Sequence, residues 1–261
     1  MTGAARLLRA AGVGVVIVLA LVTILTALRT ELPRSPGVMS DALGPDPGER
    51  VGDYLDRAAA SLVTVGGGPN VPGGSGDDGD DEGRATGPDA HRWALVSAGG
   101  AWSVAEAAGA VRDLPRVSGL SVQVPVEGVA MPVTDVALAE PVAGEAGREA
   151  AFGRGLERAA ARLDLAPAGS DRVAAAAALT ASRIRAGEPA IIGLLVRGTT
   201  GQLRAVADHR GVRAVEALPP DAVYGRFAVR PLLPQQVEAA LPLPDAAPVP
   251  PAWPATAGDR G

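Results

Sequence analysis

The chain has 261 residues, 47% hydrophobic but only 3% aromatic, with 34 glycines and 23 prolines, so any core must be built on Ala, Val and Leu. All 24 basic residues are arginine and there is no cysteine. This removes Schiff-base and P-loop lysine chemistry, thiolate nucleophiles, disulfides, Cys-type zinc sites and lipidated cysteine together. The net charge is −5, and the residues past 28 carry all 29 acids against 22 arginines (24 less Arg6 and Arg9), so no nucleic-acid partner is expected.

Residues 1–9 form a short arm with Arg6 and Arg9, and residues 10–28, AAGVGVVIVLALVTILTAL, are apolar and uncharged throughout. At about 1.5 Å per residue such a run comes close to the roughly 30 Å hydrocarbon thickness of a bilayer. It is longer than a signal-peptide core, and Leu25-Thr26-Ala27 is a poor cleavage site, so a retained transmembrane helix is expected. A short N-terminal arm before a long remainder is the form of a signal anchor. It places the C-terminal part outside the cytoplasm of a single-pass cell-membrane protein.

Residues 29–65 read as a stalk: 29–50 are rich in Pro and Gly, then Val51, Tyr54, Leu55, Ala58 and Leu62 recur at the spacing of a short amphipathic helix. Residues 66–90, rich in Gly and Asp, read as a flexible linker. Its Asp78, Asp80, Glu82, Gly83 and Asp89 loosely match a calcium loop. The last ligand is short and no helix flanks the run, so no metal is expected.

The folded α+β domain is expected over 91–236. Residues 93–98 form a strand, Ser103 and Glu106 a capping box opening a helix that Pro115 stops, and 117–124 a second strand. The same order returns at 190–197, Thr199 with Gln202, a helix to Arg210 closed by Gly211, and 212–218. Two such strand–helix–strand units form a ferredoxin-like four-stranded sheet with both helices on one face and the first strand of each unit central. The extended VEGVAMPVTDVAL and a helical hairpin over about 142–187, with Phe152, Leu156, Ala159 and Leu163 as buried stripe, form the insertion between the units. Residues 237–261 read as a Pro-rich disordered tail.

Little of this carries chemistry. His91 lies at the linker edge and His209 near a helix C-terminus, both structural in kind. No nucleophile–base motif is present, so no enzyme, catalytic residue or cofactor is expected. Glu145 and Glu149, one helical turn apart, are the carboxylate pair a less favoured envelope-hydrolase reading would use. Arg154, Arg158 and Arg162 form a cationic ridge at every fourth position, a candidate surface for an anionic envelope polymer or headgroup. The competing reading is an ordinary exposed face, partly paired with Glu157 and Asp164. Tyr224, Phe227 and Pro231 mark a segment that packs over the sheet or, alternatively, docks a protein partner.

With RWALVS opening the domain, LLVRGTTGQLRAVADHRGVRAVEALPP closing it and RPLLPQQ beyond, the chain resembles a family of uncharacterised actinobacterial single-pass membrane-anchored proteins. The resemblance implies location and fold, with no catalytic residues to carry over. LRAVADHRGVRAVE is more loosely similar to the helix-then-strand of subtilisin propeptide-type inhibitor domains, which would imply a regulatory module for an exported protease with the tail beyond Leu218 in the cleft. The reading preferred on the residues is a noncatalytic, extracytoplasmic binding or scaffolding protein.

Overall fold

The computed structural model describes residues 42–63, 90–138, 145–165 and 169–252, all within one compact unit, Ser40–Gly261. The apolar run 10–28 and the acidic segment with its loose calcium-loop match lie outside the described residues. Among the described residues no helix is long and apolar enough to cross a membrane.

In chain order the elements are β1 (Ala42–Leu43), α1 (Val51–Ser61), β2 (Arg92–Trp102), α2 (Val104–Ala110), β3 (Arg116–Val122), β4 (Thr134–Ala137), α3 (Glu145–Asp164), α4 (Asp171–Arg185), β5 (Ile191–Gly198), α5 (Thr200–Ala207), β6 (Val212–Ala217) and β7 (Ala228–Val229). Both expected capping boxes form. Ser103 Oγ accepts from the Glu106 N–H at 3.3 Å while the Glu106 carboxylate accepts from the Ser103 N–H at 2.8 Å. Thr199 and Gln202 repeat the exchange at 3.3 and 3.0 Å. Gly187, at φ +81°, closes α4: its N–H donates to the Ile184 carbonyl and that of Glu188 to Arg183, the bond pair that satisfies the last carbonyls of a helix.

The helix over 103–114 is shorter than its sequence suggests. It ends at Ala110, and the carbonyls of Val111, Arg112 and Leu114 turn to the guanidinium of Arg148, which is 3% exposed. An arginine on the inserted hairpin thus caps the first helix of the first unit.

The sheet is antiparallel and ordered β4-β3-β5-β2-β6, so β2 and β5, the first strands of the two units, lie side by side between the returning strands. It has five strands where four are expected. Residues 134–137, within the extended VEGVAMPVTDVAL, add β4 to the edge at β3 in the register Leu120↔Val136. Helices α2, α3, α4 and α5 pack on one face, where Ala94, Val96, Leu194 and Val196 meet Phe152, Ala159, Ile184 and Leu203. Alanines dominate the helix side of this contact around the single ring of Phe152, which lets the helices approach closely.

Two boundaries differ from the sequence reading. The described part of the stalk, 42–63, belongs to the domain: α1 buries Val51, Tyr54 and Ala58 against Ala214 of β6 and Leu232. The Gly/Asp segment expected as a linker over 66–90 lies, up to residue 89, outside the described residues. The described part of the tail, 237–252, is laid along the domain. Its Ala240 exchanges backbone bonds with Gly48 and Glu49, and Ala247 and Val249 pack against a cluster containing Met131 and Leu179. Proline does not prevent this, because the segment needs only scattered bonds and no ladder.

Candidate functional site

Strand alternation sends Trp93, Leu95 and Ser97 of β2 to the face opposite α2–α5. On that face α1 covers the β6 side, and the segment after Leu218 crosses the sheet as a second cover. Trp93 is 5% exposed because Tyr224 and Phe227 stand over it, with ring centroids 4.9 and 6.2 Å away. Pro231 is buried above Gly193, where a Cβ would lie 3.2 Å from the proline ring. The packing reading of this segment therefore holds for Phe227 and Pro231, while Tyr224 remains 43% exposed.

Beyond this cover the sheet face opens into a groove of about 330 Å³ lined by Gly119, Ser121, Asp135, Arg162, Leu195 and Tyr224. A second hollow of about 290 Å³ shares Asp135 and Val229 with it and continues past Pro231 to Leu233. The rim at β4 is fixed by hydrogen bonds. Ser121 Oγ–H donates to Asp135 Oδ1 at 2.6 Å, and Arg162 donates to the Asp135 carbonyl at 2.7 Å, which also blocks part of the free edge of β4.

The structure brings Arg162 and Tyr224 to one groove, although they stand in separate candidate sets in the sequence. Arg154 and Arg158 do not join them. Both are exposed on α3 and make no ion pair among the described residues, with Glu157 or any other acid, and Asp164, the other suggested partner, is paired with Arg185. Glu149 is half-buried on the same helix, with no nucleophile or base set around it. His209 is exposed just past α5, its N–H bonded to the Val206 carbonyl, and His91 is exposed before β2.

Sequence reasoning missed Trp93, Arg116 and Arg197 as members of the site. They form one row across β2, β5 and β3, since Arg197 is the cross-strand partner of both Trp93 and Arg116. The guanidinium carbons of Arg116 and Arg197 stand 5.3 and 5.6 Å from the Trp93 ring centroid, within cation–π reach, and Arg116 is also 5.9 Å from Tyr224. The signal available was the alternation itself: polar Arg197 in an otherwise apolar strand reports a second face.

A further polar group lies under α1. Glu216, 5% exposed on β6, accepts from the Gly44 N–H at 2.5 Å and from Arg57, which also bonds Glu49 at 2.9 Å. Burial holds the Glu216 carboxyl above its usual range, against the pull of Gly44 and Arg57, whereas the Arg57 hydrogen bond holds that of Glu49 below it. Burial likewise pushes the Tyr54 hydroxyl up. This group ties residues 44–57 to the sheet, and its contacts are internal, so its role is structural. Among the described residues no set of three His, Asp or Glu side chains could hold a metal ion.

In comparison with known proteins, no protein-family model matches the chain, no curated protein matches it and no solved structure matches it.

Proposed function

We propose that the chain is a noncatalytic binding or scaffolding protein of the bacterial envelope, held to the cell membrane by residues 10–28, with a ferredoxin-like core displayed outside the cytoplasm. Its binding face is the groove beside Tyr224, and its partner is a protein or an envelope polymer. One observation carries the reading. Of the chain's three tryptophans, two tyrosines and two phenylalanines, Trp93, Tyr224 and Phe227 cluster beside an open groove that Tyr224 lines, together with arginines. Exposed tyrosine over a rigid sheet, flanked by guanidinium groups, is the composition that anchors interfaces.

Gly119 supplies the test. A Cβ there meets Leu195 and the Val136 carbonyl at an ordinary 3.5 Å, so a side chain can start from this position, and Gly119→Leu places one in the groove that Gly119 lines. A photo-crosslinking side chain at position 224 of the full chain, in native membranes, is expected to capture a defined species. Gly119→Leu abolishes that capture, and a crosslinker at position 154 does not reproduce it. Equal capture from 224 and 154, or capture indifferent to Gly119→Leu, contradicts the proposal.

A protease-regulatory module needs the chain beyond Leu218 free to enter a cleft. Residues 222–252 lie instead along their own domain, so that reading requires them to peel away first.

A further inference from the structure

Arg116 and Arg197 are directly opposed on β3 and β5, and like charges so placed disfavour each other. The pair is short of an anion in a chain that has acids to spare. Arg57, Arg172, Arg183 and Arg185 each hold a carboxylate, while neither Arg116 nor Arg197 has one within ion-pair distance among the described residues. Arg116 commits only its Nε–H, to Ser118 Oγ at 2.8 Å. The Nε–H of Arg197 is buried with no acceptor, which is costly for a charged donor. Stacking on Trp93 positions both groups yet satisfies none of their N–H donors.

We infer that Arg116 and Arg197 form a receptor for one oxyanion group, a carboxylate or a phosphate, carried by the ligand of the neighbouring groove. Guanidinium forks match either oxyanion with parallel N–H donors, which a point charge such as lysine does not. Ser118 and Tyr224 line the groove and also touch Arg116, Ser118 through a hydrogen bond and Tyr224 through the 5.9 Å stack, so an anion bound here lies at the groove's end. The aromatic wall of Trp93 and Tyr224 lowers the local polarity and strengthens the contact. The inference rests on the groove being the binding face and adds the chemistry of what it takes.

The test uses the full-length chain, titrated with inorganic phosphate and separately with acetate, against chloride at matched ionic strength. The readouts are the Nε–H resonance of Arg197 and tryptophan fluorescence. A saturable shift with at least one of the two oxyanions and none with chloride is expected. Read by fluorescence, Arg116→Gln and Arg197→Gln each weaken it at least tenfold, Arg197→Lys weakens it despite keeping the charge, and Arg154→Gln leaves it unchanged. Response to phosphate alone points to a phosphate-bearing polymer, and response to acetate alone to a carboxylate-bearing partner. If neither oxyanion exceeds chloride, or Arg154→Gln weakens the response as much as Arg116→Gln, the receptor is overturned. Should Arg197→Gln fail to fold, Arg116→Gln at the half-buried position decides alone. Groove-dependent crosslinking that survives without any oxyanion response overturns this inference only. Oxyanion binding without a captured partner overturns the binding-protein reading and leaves the receptor standing.

Discussion

Gly44 sits at φ +105°, and a Cβ built on it would lie 1.5 Å from the Arg230 carbonyl oxygen. Its N–H meanwhile serves buried Glu216. Gly44→Ala must therefore break both the β1–β7 pairing and the carboxylate's support, with an expected loss on the order of 3 kcal/mol in urea unfolding. Glu216 itself has a pH signature. Its carboxyl is raised above the ordinary 4.5, so ionisation is harder in the folded state. Its stabilising contribution is full below 4.5 and declines as pH rises through the raised value. Glu216→Gln removes this decline, so urea midpoints of wild type and variant diverge upward from pH 4.5, the wild type losing ground; parallel profiles would contradict the assignment.

At the level of elements, the local chemistry reads directly from the chain and the remote chemistry does not. Ser103 with Glu106 and Thr199 with Gln202 fix helix starts because each cap needs only residues three apart. The apolar run 191–196 of β5 likewise marks a central strand. The early end of α2 is different: it depends on Arg148, which sits on a helix more than thirty residues away. Ser103→Ala is expected to cost about 1 kcal/mol as a lost cap. Arg148→Met leaves buried carbonyls without their donor and should cost about 2–4 kcal/mol. A smaller loss for Arg148→Met than for Ser103→Ala in the same urea titration would show that the hairpin does not brace the first unit.

For the whole molecule, what escaped the sequence is how its Pro- and Gly-rich segments dock. Pro- and Gly-rich stretches at 42–50 and 237–252 carry no periodicity, and they dock through scattered backbone bonds, side-chain bonds such as Gly44 to Glu216, and the Arg172–Asp245 pair, between positions far apart in the chain. The groove is hidden for the same reason: only the strand order brings Arg116 opposite Arg197. Arg172 grips Asp245 through both carboxylate oxygens, at 2.9 and 2.5 Å, and the Ala130 N–H adds a third bond at 3.0 Å. The Arg172 bond holds the Asp245 carboxyl below its ordinary 3.8. Its contribution to docking the C-terminal strap is thus present above pH 3.8 and lost as pH falls through the lowered value. Amide exchange in residues 240–250 should rise over that interval, and Asp245→Asn should raise it already at neutral pH.

The absence of cysteine makes the central claim directly measurable. Val223 is 49% exposed beside Tyr224, and Val223→Cys places one thiol at the groove rim of the full chain. In spheroplasts, a membrane-impermeant maleimide is predicted to label this thiol as fast before lysis as after it. Labelling that appears only once the membrane is broken would contradict a domain displayed outside the cytoplasm with its groove open.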